Sequence, residues 1–278
     1  MLDEPYRWIE AINNRRDYIE DQLRMGSPVV GLSYDEGLLL LTIGRGQRKI
    51  FEVHDRLALS AIGHTADIER LRMLATDTAS VQGFQSSVDD VTLHRLSNFV
   101  LGPTIKQAFE AVFASAYIIK MLLAELGSHG QGHQFVALNY DGTTRSNQSA
   151  EVIGGTEKVE TAMKSHLSNS DSAGLSFTSA LRLGLEAWAV GWDVSPNVEN
   201  SNYIGAEDSG QVEGGNSRCE EENPGKLNMD IEHIHGVLKR ELNQGQINVG
   251  VLQESRRSKS KFRSISAENI DAAISDWL

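Results

Sequence analysis

The stretch from Gly26 to Gly63, GSPVVGLSYDEGLLLLTIGRGQRKIFEVHDRLALSAIG, constrains the fold more than any other part of this sequence. It holds four short apolar runs, Val29 to Leu32, Leu38 to Ile43, Lys49 to Val53 and Leu57 to Ile62. Turn signals separate them at Asp35-Glu36-Gly37, Gly44-Arg45-Gly46 and His54-Asp55. Runs so short and so closely spaced predict consecutive antiparallel strands. A helical segment precedes them. Pro5 suits a first helical turn, Ile9, Ile12, Ile19 and Leu23 recur at helical spacing among charged residues, and Gly26 is a natural stop, so residues 5 to 25 are expected to form one amphipathic helix. Its stripe could pack on its own domain or face a partner, and spacing alone leaves both open.

Farther along, residues 65 to 82 and 89 to 112 carry helical apolar spacing (Ile68, Leu71, Leu74; Leu93, Leu96, Val100), with Asp89 as a cap for the second. Gly102-Pro103 should bend that helix, because proline cannot donate to the preceding turn. Two further helices are expected at 156 to 168 and 175 to 191, the first opened by Gly154-Gly155 and capped by Thr156. From Asp193 to Leu227 the chain is dominated by Gly, Asn, Ser and Glu, a disorder signature. Met229 to Leu242 then regains helical spacing through Ile231, Ile234, Val237, Leu238 and Leu242, as an extra helix without an assigned purpose.

With 278 residues, 40% of them hydrophobic, one sizeable domain carrying an insert is expected. Acidic residues outnumber basic ones 38 to 26, giving a net charge of -12, which argues against nucleic acid as a partner. Cys219 is the only cysteine, so no internal disulfide can form, and its acidic neighbours Glu220, Glu221 and Glu222 disfavour a reactive thiolate. The opening residues MLDEPYRW do not have the pattern of a signal peptide, and no apolar run approaches the roughly 18 residues of a membrane helix. A cytoplasmic protein without membrane contact is expected. His129, His133, His233 and His235 invite a metal reading, but the last two are spaced onto different sides of a helix, so solvated or core histidines and no metal or cofactor are expected. Gly44-x-Gly46 precedes a strand and not a helix, which rejects a phosphate loop.

The order of these segments resembles a proteasome-family subunit. The carrying features are the small residue Ser27 opening the first strand, the glycine-containing hairpin, Lys49-Ile50 entering the third strand, and the strand end at Ala58 to Gly63 running into a helix. Tyr140-Asp141-Gly142-Thr143, the turn in Val152 to Ala162, and the closing stretch Gln246 to Leu278 continue the likeness over most of the chain. The resemblance implies the four-layer α/β/β/α sandwich of amino-terminal-nucleophile hydrolases, two antiparallel sheets flanked by helices. It also implies that Ala116 to Leu126, whose Met, Leu and Ala content predicts a helix, is a strand pairing with Phe135 to Tyr140 across the His129 to Gly132 loop.

Residues 1–26 would then be an amino-terminal helix on the ring face, and 27–278 the subunit domain with a partly disordered insert at about 193–245. Catalytic members of the family begin with a threonine, assisted by a lysine in the third strand, an acid at the end of the second and a serine in the glycine turn. Here Ser27 takes the first place and Lys49 the second, but Ile43 and Gly155 stand where the acid and helper serine would be, and Gly26 acylates the Ser27 nitrogen. The resemblance is to the non-catalytic α-type subunits of a bacterial 20S-like proteasome. It implies self-assembly into a ring, expected to be heptameric, a β-type subunit as partner, gating of substrate entry, and a ring-shaped ATPase or other activator whose carboxyl termini dock on Lys49 and Gly26. The plain alternative for Lys49 is a solvated strand-end lysine. Two further alternatives stand: an autoprocessed hydrolase using Ser27 as terminal nucleophile, and a self-assembling homologue without a protease partner.

Overall fold

Leu38 to Ile43 is buried along its whole length and serves two cores, Leu38 and Leu40 on one side, Leu39, Leu41 and Ile43 on the other. A strand covered on both faces favours apolar residues on both, which is why this run does not alternate; its polar Thr42 is satisfied by donating to the Pro28 carbonyl. The computed structural model describes residues 4–111, 114–128, 132–168, 174–195 and 230–278, with side chains from residue 8 onward. In chain order the described elements are α1 (Glu4–Leu23), β1 (Val29–Tyr34), β2 (Gly37–Gly44), β3 (Ile50–His54), β4 (Leu57–Gly63) and α2 (Thr65–Gln85). Then come α3 (Leu93–Arg95), α4 (Gly102–Glu110), β5 (Ile119–Glu125), β6 (Gln134–Leu138), β7 (Thr144–Asn147), β8 (Ala150–Ile153), α5 (Glu157–Ser168), α6 (Phe177–Asp193), α7 (Ile231–Leu242), β9 (Gln246–Gln253), β10 (Phe262–Ser264) and α8 (Ala267–Ile274).

The strands make two antiparallel sheets of five, ordered β10-β9-β2-β1-β8 and β3-β4-β5-β6-β7. Three apolar cores separate four layers. Val29, Leu38 and Leu40 of the first sheet meet Ala58, Ile62, Leu122, Ala124 and Phe135 of the second in the central core. The other face of the first sheet, with Val30, Leu32, Leu39 and Leu41, is covered by α5, α6, α7 and α8 through residues such as Met163, Trp188, Leu238 and Ile270. The other face of the second, with Leu59, Ala61, Met121 and Leu123, is covered by α2 and α4 through Leu71, Ala75 and Ile105. This is the α/β/β/α sandwich expected from the resemblance.

β5 is the strand that propensity alone assigned to a helix. It pairs with β4 from Leu57↔Glu125 to Gly63↔Ile119 and with β6 from Met121↔Leu138 to Glu125↔Gln134, and every residue in it is buried. Burial on both faces overrides the intrinsic preference of Met, Leu and Ala. At the end of β4, Gly63 has φ 128, and a Cβ there would lie 2.0 Å from the Ile118 carbonyl oxygen. Only glycine fits that turn from strand to α2.

Several boundaries differ from the sequence reading. The helix expected at 89 to 112 is interrupted: Val88–Asp90 forms a 3-10 turn, and a π-helical turn at Leu96–Leu101 leads into α4. The wider turn sits just before Pro103, whose ring would crowd the carbonyl one turn back. Thr92 caps this helix by accepting from the Arg95 amide at 3.4 Å, the place expected for Asp89, which instead approaches Arg56 at 3.7 Å. Thr156 does cap α5, accepting from the Val159 amide at 3.3 Å. Lys49 precedes β3 by one residue. Of the region 193–245 expected as an insert, residues 196–229, including Cys219, lie outside the described residues, and its last part forms α7, which joins the outer helical layer against α6.

α1 packs on its own subunit. Ile19 and Leu23 are buried in the central core, with Ile12 partly so. Arg15 donates to the carbonyls of Phe109 at 2.7 Å and Ala111 at 2.8 Å, closing the carboxyl end of α4, and Tyr140 donates to Glu20 at 2.5 Å. Toward its amino end the same helix leaves Trp8 and Ile9 about half exposed, 48% and 51%.

Candidate functional site

Ser27 follows the turn that ends α1 and stands beside the end of β2, the neighbouring strand in the first sheet. Its hydroxyl donates to the Ile43 carbonyl at 2.6 Å and accepts from the Trp188 indole of α6 at 3.2 Å. The Thr42 hydroxyl lies 3.3 Å away, but its own proton goes to the Pro28 carbonyl at 2.7 Å, so both hydroxyl protons are committed to backbone carbonyls. Such a serine is a packing node. Its proton faces a carbonyl, which cannot act as a base, and the side chain of Ile43, at the place where the resemblance implied an acid in catalytic members, is buried among apolar groups.

Lys49 shares an open cleft of about 630 Å³ with Ser27. Ile43, Gly44, Arg45, Trp188, Trp192, Arg240 and Glu241 also line it. The lysine stem runs along Gly44, where an added Cβ would meet its Cε at 3.4 Å. Burial pushes the Lys49 amine below the ordinary lysine value. Among the described residues no carboxylate pairs with it. Glu241, the acid in the cleft, is approached instead by Arg45 at 3.9 Å and Arg240 at 3.6 Å. Trp188 and Trp192 stack with ring centres 5.2 Å apart, one helical turn from each other on α6. Their i, i+4 spacing was the available sequence signal for this wall, and it was missed, as were Arg240 and Glu241, which come from the helix left without a purpose.

The structure therefore brings Ser27, Ile43 and Lys49 together and leaves Gly26 and Gly155 outside the lining. A Cβ on Gly26 would meet the Leu23 carbonyl at 3.0 Å and Ile62 at 3.2 Å, so close packing by itself calls for glycine there. At Gly155 a Cβ would lie 2.6 Å from the carbonyls of both Leu23 and Arg24, leaving a serine no room unless the end of α1 moves. His133 accepts from the Gly127 amide at 3.1 Å. His233 lies 3.1 Å from Asp193, while His235 meets the Trp277 ring edge-on, so α7 holds these two histidines apart. His129 lies outside the described residues.

A second polar centre escaped the sequence reading. Lys120 in β5 donates to Glu160 at 2.9 Å and to the Gly154 carbonyl at 3.0 Å, Arg145 reaches the other oxygen of Glu160 at 2.7 Å, and Lys164 pairs with Glu151 at 2.9 Å. Lys120, Glu151 and Glu160 are buried, and the network ties the second sheet to the glycine turn of the first. Its partners lie up to 40 residues apart, beyond the reach of any local pattern.

No family model matches the chain. Curated relatives do. A proteasome subunit alpha of Thermomonospora curvata is 30% identical over 181 residues, spanning 64% of this chain and 76% of the relative. Proteins of the same description from a Nocardioides species and from Streptomyces scabiei are each 27% identical, covering 63% and 64% of this chain and 68% and 71% of their own lengths. Among the described residues no helix is long and apolar enough to cross a membrane.

Proposed function

The chain belongs to the proteasome α-subunit family, and from that premise we propose that it is a non-catalytic ring subunit of a bacterial proteasome, assembling with itself and with a β-type partner that carries the proteolytic site. The observation that carries the non-catalytic reading is the state of Ser27. Its proton is held by the Ile43 carbonyl, its oxygen by the Trp188 indole, and its nitrogen is an amide of Gly26. A terminal-nucleophile mechanism needs a base and an acid-oriented lysine, and neither accompanies Ser27. Lys49, with no carboxylate paired to it among the described residues and placed in an open cleft, supports the reading as a docking point for the terminal carboxylate of an activator; Gly26, outside the cleft lining, adds no support to it.

In the ring, expected to be heptameric, the chain would gate substrate entry and receive a ring-shaped ATPase or similar activator. The exposed Trp8 and Ile9 on α1 support a contact with a neighbouring subunit. A cytoplasmic location follows from the same reading. Native mass spectrometry and a fluorogenic-peptide assay test it together. The chain alone is expected to form rings without peptidase activity, and the complex with a β-type subunit to form stacked rings with activity. Hydrolysis by the chain alone, abolished by Ser27→Ala and accompanied by loss of residues 1–26 from the intact mass, would establish the autoprocessed hydrolase instead.

A further inference from the structure

The Lys49 cleft has a chemistry that ring assembly and carboxylate docking do not use. Three cationic side chains, Arg45, Lys49 and Arg240, face one acidic one, Glu241, in a protein whose net charge is -12. Glu241 is shared by the two arginines, so the lysine amine stays uncompensated. The cleft is open to solvent and the amine sits in its wall, with its stem lying along Gly44. A cation-rich pocket collects small anions, and a lysine amine lacking a counter-charge is a nucleophile whenever it is neutral.

We propose that Lys49 is an acylation site for small anionic acyl donors of the acyl-phosphate class. Arg45 and Arg240 hold the phosphate end of the donor while the neutral amine attacks its carbonyl carbon. The N–C bond forms, the bond from carbon to the phosphate oxygen breaks, phosphate departs with the electron pair, and the amine proton passes to water. The step is redox-neutral and turns the cleft cation that has no ion pair among the described residues into a neutral amide. Burial, which disfavours the charged amine, works in the same direction. Acylation needs neither ring nor activator, so it can be tested apart from the docking reading, which it would switch off if both hold.

The experiment uses the full chain, acetyl phosphate, and peptide mass spectrometry of acetyl occupancy at each lysine over time. Acetylation of Lys49 is expected to be several-fold faster than that of the exposed Lys158, to saturate with acetyl phosphate, and to be slowed by inorganic phosphate. A neutral reagent, the N-hydroxysuccinimide ester of acetic acid, should keep the preference for Lys49 but ignore added phosphate. Arg240→Gln, with folding verified by circular dichroism, should slow the first reagent and not the second. Equal rates at Lys49 and Lys158 with both reagents would overturn the proposal. A Lys49 preference confined to the neutral ester, or an acetyl phosphate reaction at Lys49 indifferent to added phosphate, would overturn the acyl-phosphate assignment.

Discussion

At the scale of single residues, Ser27 and Lys49 differ in how the fold treats them: the first is held by hydrogen bonds, the second lines an open cleft. Ser27 is structural, so Ser27→Ala should cost stability, about 1 kcal/mol by denaturant titration, because the Trp188 indole and the Ile43 carbonyl both lose a partner in a partly buried setting. On the non-catalytic reading, neither the wild-type chain alone nor the variant should hydrolyse a fluorogenic peptide. Lys49 is the reverse case. Its amine has a lower proton affinity in the folded chain than in the unfolded one, so folding is opposed by this group at neutral pH, and stability returns as pH rises through the folded-state pKa toward the ordinary lysine value. Lys49→Met should therefore stabilise the chain at pH 7, with a smaller gain at pH 10, in parallel denaturation curves at the two pH values. For docking, Lys49→Ala should weaken binding of an activator's carboxyl-terminal peptide to assembled rings roughly tenfold to a hundredfold per site, about 1.5 to 3 kcal/mol. Lys49→Arg should recover only part of that, since a planar fork does not replace a compact ammonium. Equal binding by the wild type and Lys49→Ala, or binding that survives amidation of the peptide, would reduce Lys49 to an ordinary strand-end lysine.

Among the elements, α1 and β5 show what a sequence can and cannot disclose. The stripe Ile12, Ile19 and Leu23 was legible from helical spacing, but not which surface covers it. That depended on Arg15 meeting the end of α4 and Glu20 meeting Tyr140, contacts spanning 94 and 120 residues. Ile19 and Leu23 belong to the central core, so deleting residues 1–24 would open that core as well as disturb assembly. The cleaner experiment leaves the inner stripe intact and changes Trp8 and Ile9 to serine together. Monomers should keep their thermal midpoint while ring formation in native mass spectrometry falls, and unchanged rings would make the outer end of α1 a mere decoration. β5 was legible only through the order of neighbouring segments, because a strand buried on both faces carries no alternation and its composition resembles a core helix. The interruption before Pro103 was signalled by the proline, but the exchange of Thr92 for Asp89 as cap was not, both being good capping residues.

For the whole molecule, the two-sheet sandwich was implied by the family resemblance that the four short runs and the glycine turns carry, whereas the cleft was not. Its walls come from β2, the stretch before β3, α6 and α7, brought together only when the outer helical layer closes on the first sheet. The buried ion network has the same non-local origin. Removing one member strands another: Glu160→Ala leaves the buried Lys120 without its carboxylate and Arg145 with only Glu151, 3.6 Å away, and should cost about 3 to 5 kcal/mol. The Lys120→Met, Glu160→Leu pair should restore much of this in equilibrium unfolding, and a loss in the double variant equal to that of Glu160→Ala would mean that the network is needed as such.

The contact of Gly155 with the last carbonyls of α1 gives that helix the mechanics of a lever. Its inner end is seated against the glycine turn, which the Lys120 to Glu160 pair holds in turn, while Trp8 stands fifteen residues, about 22 Å, farther out at 1.5 Å per residue. A tilt of about 5° at the seat would carry Trp8 through about 2 Å. Such a displacement is comparable to half an atomic contact distance, so the outer end of α1 magnifies small errors made deep inside the subunit, and the absence of a side chain at position 155 keeps the arm aimed.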